Sequence, residues 1–320
     1  MQKKPQNSSI IRYWLACAIA ATVVFAVTVP GPARYLPRLG IIDGGVVIIM
    51  FIGSLKLSLS RFIKAIRRPD IIILCLISTY ILAPLFSIGI GSITGLSSPE
   101  DRLAILISSA QASTLATAIV LTEIAGGNVA LAMVLTITNN LLSVFMTPLV
   151  FRILGGTEIE VDYISMSLQI ALKIAAPVIA AQIARIWLSR WASRHSRSLS
   201  LTSQFIILVY IYAGVSAGAQ TLAGTGQILI NVLLLVLLLH PVLLAANALI
   251  MRLVSKDPGT RTAFVLCSSQ KTLPVAVMIW KNFFPALPLG PLVAVGYHML
   301  QLIVDSIIAP GFRRLPLIRN

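Results

Sequence analysis

Ser108-Ser109-Ala110-Gln111-Ala112-Ser113-Thr114-Leu115 and Cys267-Ser268-Ser269-Gln270-Lys271-Thr272-Leu273-Pro274 are two short polar stretches, each set in the middle of a long apolar run. The runs around them decide how they are read. The 320-residue chain is 57% hydrophobic and 11% charged, with a mean hydropathy of +0.93, a composition that belongs to membrane proteins rather than to soluble domains. A helix of roughly 20 apolar residues crosses a hydrocarbon core about 30 Å thick, and runs of that kind recur from Trp14 to Ile308 with only short polar breaks. The sequence therefore predicts an all-α integral membrane protein, solvated by the lipid bilayer and without a soluble domain. In that solvent an unpartnered polar group is costly, so both polar centres must be met by protein, ion or cavity water.

Working outward, Gly, Pro and charge punctuate ten predicted spans: 13-30, 38-57, 70-92, 102-125, 128-154, 162-188, 203-222, 227-254, 260-281 and 287-308. Of the 25 Lys and Arg residues, only Lys173 and Lys271 fall deep inside spans, the rest lying at span ends or between them. Arg34, Arg38, Arg102, Arg152 and Lys281 lie on one side of the membrane, and all the others collect on the opposite side with both termini. The positive-inside rule makes that side cytoplasmic. The net charge of +15 is thus a membrane-flank signature, and nucleic acid is not an expected partner. Lys3, Lys4 and Arg12 before the run from Trp14 to Pro30 resemble a signal peptide, but the many spans that follow favour a retained first helix.

The two polar stretches also stand in register. Gln111 and Gln270 are 159 residues apart, Pro84 and Pro241 are 157 apart, and Pro148 and Pro310 are 162 apart. A unit of five spans can be duplicated only upside down, so the expectation is two inverted five-helix repeats, 1-156 and 157-320, with broken helices four and nine. Pro274 weakens helical hydrogen bonding where the second break is needed. The candidate binding residues are Gln111, Ser113, Thr114 and Thr117 in span four and Ser268, Ser269, Gln270, Lys271 and Thr272 in span nine. Thr136, Asn139 and Asn140 in span five join them across the Gly126-Gly127 turn.

Lys271 is the sharpest of these, because a Lys at a helix centre costs about 2.5 to 3.5 kcal/mol on insertion scales and its ends are too distant to reach by snorkelling. Lys173 has no counterpart in the other half. Glu123 and Asp305 approach cytoplasmic ends and read as surface groups; His240 and His298 read as lone hydrogen-bonded structural groups. Cys17, Cys75 and Cys267 lie in three separate runs and form neither a disulfide framework nor a CxxC metal site. Catalysis needs acid, base or nucleophile groups converging at one depth, and these are scattered. An enzyme is therefore not expected, nor is a cofactor, and no protein partner is inferable. A solute carrier is the leading reading, with a channel or receptor as the alternative.

Phe51-Ile52-Gly53-Ser54-Leu55-Lys56-Leu57, Ala125-Gly126-Gly127-Asn128, Thr147-Pro148-Leu149, Leu172-Lys173-Ile174-Ala175-Ala176-Pro177 and Cys267 to Pro274, in this order and spacing, resemble the bile acid:sodium symporter superfamily. The resemblance is strongest to its bacterial branch, which also contains the solute carrier family 10 member 7 type. It implies ten helices in a core and a panel domain, helices four and nine crossing at their breaks, the bacterial inner membrane, and a small organic anion as substrate: bile-acid-like, carboxylate or sulfonate. It also implies sodium as coupling ion, with Gln270 and Thr136 matching sodium-site residues and Ser113, Thr114 or Thr117 falling where the family has a Ser-Asn pair. Two positions depart from the pattern: Leu266 stands for the family's sodium-binding glutamate and Lys271 for an asparagine. The exchange leaves coupling open between sodium, protons and none. One expectation is that the Lys271 ammonium replaces a sodium ion, donating to oxygens of Gln111, Ser113 and Ser269; another is that Lys271 carries a proton.

Overall fold

The structure, a computed structural model, describes residues 8–55, 68–156, 162–221, 226–315 and 318. The repeat boundary expected at 156/157 and the flanking charges Lys3, Lys4, Lys56, Arg61, Lys64, Arg67 and Arg319 lie outside or at the edge of that range. Among the described residues every regular element is helical.

The helices are α1 (Ser8–Thr28), α2 (Ile41–Leu55), α3 (Pro69–Ile93), α4 (Pro99–Ser109), α5 (Thr117–Ile124), α6 (Val129–Leu154), α7 (Tyr163–Arg194), α8 (Ser196–Thr221), α9 (Gly226–Val254), α10 (Pro258–Ser269), α11 (Leu273–Phe283) and α12 (Leu289–Ile308). Seven helical stretches among the described residues are long and apolar enough to cross a membrane, and eight if the pair Cys17–Thr28 and Gly31–Arg38, bent by 88°, is one span. The ten-span expectation exceeds this count for local reasons. α2 has only 15 residues, and the span read at 102-125 is divided into α4 and α5, neither long enough alone. The spans read at 162-188 and 203-222 run further than expected, into α7 and α8. Arg190 and Arg194 extend α7 instead of opening a loop, as good helix formers do.

Polar caps set several helix starts. Ser98 accepts from Asp101 N while Asp101 returns a bond to Ser98 N, a full capping box at α4. Asn128 caps α6 through Leu131 N, and Asp257 caps α10 through Gly259 N and Thr260 N. The α5–α6 turn closes through Gly126, whose φ of 71° is left-handed, and Asn128 N–H donates to Gly259 O at 2.9 Å, tying the start of α6 to the start of α10.

Burial places the two broken spans at the centre. The most apolar 18-residue window of Pro258–Phe283 is 100% buried, against 28% for that of Ser196–Gly218. α10 packs on α6 and α9, and α4 packs on α3 and α12. The outer helices instead expose large apolar side chains such as Trp187, Ile186, Phe205 and Leu253, the surface expected of a lipid-facing wall. Close helix approach depends on small residues. A Cβ added at Gly218 would lie 2.2 Å from Leu292 Cγ, and one at Gly214 would lie 2.8 Å from Val295 Cγ2. Gly218→Val is expected to force α8 off α12 and destabilise the protein by about 1–3 kcal/mol, seen as a lower melting temperature in detergent; an unchanged melting curve would refute this contact.

Candidate functional site

Both polar stretches interrupt their helices, and the interruptions meet. α4 ends at Ser109 and α5 begins at Thr117; α10 ends at Ser269 and α11 begins at Leu273, with Pro274 in its first turn. Gln270 and Thr272 take extended backbone angles, and Pro274, which has no N–H, sits where that absence costs least. Thr272 N–H donates to Ala112 O at 3.0 Å, and Thr114 Oγ1 donates to Gln270 Oε1 at 2.5 Å. Gln111, Ser113, Thr114, Ser268, Ser269, Gln270, Lys271 and Thr272 are all buried here.

The unwound backbone has donors waiting for it. Gln301 on α12 brackets Lys271: its Oε1 accepts from Lys271 N–H at 2.8 Å and its Nε2 donates to Lys271 O at 2.8 Å. Tyr297 hydroxyl donates to Ser269 O at 2.6 Å. Thr147 Oγ1 donates to Ala110 O. Asn140 Nδ2 donates to both Ser113 O at 2.9 Å and Thr136 O at 2.8 Å. Asn139, one residue earlier and so turned to another face, donates to Cys75 Sγ instead. Thr136 Oγ1 donates back to Ala132 O, at 2.9 Å.

Lys271 is 2% exposed. Its ammonium donates to Thr79 O at 2.7 Å and to Gln111 O at 3.2 Å, one acceptor on α3 and one in the α4–α5 break. The expected acceptors Ser113 and Ser269 are not used: Ser269 Oγ accepts from Asn247 Nδ2, and Ser113 Oγ has no partner. Thr79 O is available for a reason written into α3. Residues Ser78–Leu82 form a π turn in which Ala83 N–H bonds back to Ser78 O. Ala83 N–H, which an α pattern would bring to Thr79 O, is thereby diverted to Ser78 O, and the amide that a π pattern would bring belongs to Pro84, which has no hydrogen.

Two acidic and basic readings change. Asp305 is not a surface group: it is 0% exposed, with Oδ2 accepting from Gln270 Nε2 at 2.6 Å and Oδ1 lying 2.8 Å from His240 Nε2. Gln270 thus has both ends of its amide engaged by protein, Oε1 by Thr114 and Nε2 by Asp305. Lys173 pairs with Asp43 at 2.7 Å, and Lys281 reaches the other carboxylate oxygen, so Lys173 belongs to an ion-pair cluster away from the breaks. Glu123 is exposed, as read from the sequence.

A cavity of about 200 Å³ opens against the breaks, lined by Thr114, Thr117, Gln204, Thr272, Pro274 and His298 among others, with Ile49 and Met50 on its apolar wall. His298 is oriented by a chain of donors. Lys271 N–H fixes which end of the Gln301 amide is oxygen, so Gln301 Nε2 faces His298 Nδ1 at 2.8 Å as a donor. Nδ1 is then the acceptor, and a neutral ring carries its hydrogen on Nε2. His298 Nε2 and Gln204 Oε1 have no hydrogen-bond partner. Buried oxygens without partners also remain at Thr79 Oγ1, Gln111 Oε1, Ser113 Oγ, Asn139 Oδ1 and Asn140 Oδ1. No group of three or more His, Cys, Asp or Glu side chains is placed to hold a metal ion among the described residues.

A polar, unwound centre inside a bundle whose outer wall is apolar, with a cavity reaching it, is the architecture of a multi-pass membrane protein with room for a small solute. The chain belongs to the SBF-like CPA transporter family, whose sequence profile it matches over residues 13–314, and so to the bile acid:sodium symporter superfamily. It is 28% identical over 307 residues to the uncharacterized protein PA2026 of Pseudomonas aeruginosa, covering 93% of this chain and 92% of that one. It is 28% identical over 278 residues to an Arabidopsis thaliana protein named Probable sodium/metabolite cotransporter BASS4, chloroplastic, covering 81% and 63%. It is 23% identical over 206 residues to Sodium/bile acid cotransporter 7 of Rattus norvegicus, covering 61% and 60%. The chain therefore spans less than two thirds of the plant and rat relatives. The family is one of transporters, and the plant and rat relatives are named as cotransporters, not enzymes.

Proposed function

We propose that this chain is a secondary transporter of a small organic anion, working by alternating access, in which the Lys271 ammonium stands in place of a coupling sodium ion. The observation that carries the reading is Lys271 itself, a buried lysine whose Nζ donates to Thr79 O and to Gln111 O in the opposing break. In this reading the ten spans form two inverted five-helix repeats, 1-156 and 157-320, arranged as core and panel, with both termini cytoplasmic and the protein in the bacterial inner membrane. The interruptions at 110–116 and 270–272 support it by lying at matching points of the two halves.

The solute would be an apolar body with one carboxylate or sulfonate. Ile49 and Met50 suit the body. The N-termini of α5 and α11 beside the cavity, together with His298 Nε2–H, suit the anion. The sodium-linked names of the relatives suggest a second reading, with sodium at the unpartnered oxygens of Gln111, Ser113 and Asn140. Against it stands charge: a cation sharing this centre with an ammonium on Lys271 would be repelled by it.

Proteoliposome counterflow of radiolabelled taurocholate and benzoate tests this. Saturable counterflow is expected for at least one probe, at rates equal within about twofold in sodium and in choline buffer, because no site needs sodium. Stimulation by sodium of tenfold or more would restore sodium coupling; flux that never saturates would point to a channel.

A further inference from the structure

His240 and Asp305 form a fully buried pair, both 0% exposed, that the site described above does not explain. His240 Nδ1 lies 3.1 Å from the Tyr297 hydroxyl, whose own hydrogen is donated to Ser269 O. The Tyr297 oxygen can therefore only accept, and His240 Nδ1 must carry a hydrogen. On the other side of the ring, Nε2 and Asp305 Oδ1 are 2.8 Å apart. A hydrogen has to sit between them, on the imidazole or on the carboxyl. The second carboxylate oxygen already accepts from Gln270 Nε2, whose orientation is set by Thr114 donating to Gln270 Oε1. Counting hydrogens, the pair as built holds one proton more than a neutral imidazole and a carboxylate. Without that proton, two lone pairs face each other at hydrogen-bond distance in a site closed to water.

We propose that the His240–Asp305 pair is the proton-binding site of this transporter, loaded in the closed arrangement and emptied to water when the site opens, so that solute movement is coupled to one proton. The inference rests on the carrier reading and moves the proton away from Lys271. The released proton leaves Asp305 as carboxylate and His240 neutral. Their repulsion separates α9 from α12, and the disturbance reaches the cavity along Asp305, Gln270 and Thr114, the last of which lines it.

Other titratable groups around the pair are accounted for. Tyr297, on α12, meets His240 edge-on with ring centroids 5.6 Å apart. Lys271 donates to Thr79 O and Gln111 O, and His298 contacts Lys271 O and Gln301. From the helices packed on α9 and α12 come Cys267 and Arg261 of α10, the latter bonded to Ser255 O and Ile318 O. Tyr210 of α8 bonds Ile42 O, and Lys281 of α11 pairs with Asp43. α4 brings only Glu100, Asp101 and Arg102, all in its first turn; α3 brings none from its Ala83–Ile93 segment. Arg252 of α9 and Arg314 beyond α12 are exposed.

The test needs no organic solute. Proteoliposomes on a solid-supported membrane are stepped from about pH 8 to about pH 5.5, a range in which imidazole chemistry operates, and the transient displaced charge is recorded. The expected result is a transient in the wild type and in Glu123→Gln, an exposed control, and its loss by at least tenfold in Asp305→Asn and His240→Gln. Because those variants replace buried groups, wild-type protein labelled with ¹⁵N-histidine is examined alongside. His240, identified by comparison with His195→Gln and His298→Gln, should keep its Nδ1 hydrogen at both pH values and change only at Nε2. A full transient in Asp305→Asn, or a His240 spectrum that does not change across the step, overturns the proposal. Failure of taurocholate and benzoate counterflow with the transient intact would remove the organic-anion reading and leave the proton site standing. Counterflow indifferent to both pH and Asp305→Asn would do the reverse.

Discussion

Lys271→Met should reduce counterflow at least a hundredfold while lowering the melting temperature only slightly. Two stability terms oppose each other. Methionine leaves Thr79 O and Gln111 O without a donor, at about 1–3 kcal/mol per buried orphan, but it also removes an ammonium whose place at mid-membrane costs about 2.5 to 3.5 kcal/mol. The two nearly cancel. Transport has no such compensation, because the charge shared between α3 and the α4–α5 break is what the methionine lacks. Counterflow and scanning fluorimetry on the same preparation separate the two. If flux stays within about twofold of wild type, the ammonium is structural and the central proposal fails.

Gln301→Leu should do the opposite and act first on folding. The amide of Gln301 serves three buried groups: Lys271 N–H, Lys271 O and His298 Nδ1. Leucine fills a similar volume and satisfies none of them. Three orphans at about 1–3 kcal/mol each amount to roughly half or more of the margin by which proteins are ordinarily stable. A melting temperature lower by about 10 °C or more, with reduced yield from the membrane, is expected. A melting curve superimposable on wild type would mean that the break is held by something other than this residue.

Several features of this arrangement are legible in the sequence because they concern composition and depth. The polar stretches around Gln111 and Gln270 mark both breaks, and Lys271 stands out as a cation without an escape route. What escapes the sequence is lateral neighbourhood. Asp305 reads as a surface group because only its distance along α12 is visible, while its burial comes from α9 and from Gln270 beside α10. Asn139 and Asn140 differ by one residue, yet a helix turns about 100° between them, so Asn140 alone reaches Ser113 O while Asn139 meets Cys75. Backbone acceptors are the least legible of all: nothing in the identity of Thr79 announces that its carbonyl receives the Lys271 ammonium. The span count suffers likewise, since hydropathy sums over a break that divides 102-125 into two helices.

That carbonyl also shows what a proline supplies here by lacking a hydrogen. With alanine at position 84, the π register of Ser78–Leu82 would bring an amide hydrogen to Thr79 O, where it would compete with the Lys271 amine. With proline at 84 the acceptor stands idle and can receive a charge from 192 residues away. The missing hydrogen at position 84 and the diverted amide of Ala83 together make one backbone carbonyl of α3 a seat for a side chain that belongs to the other half of the chain.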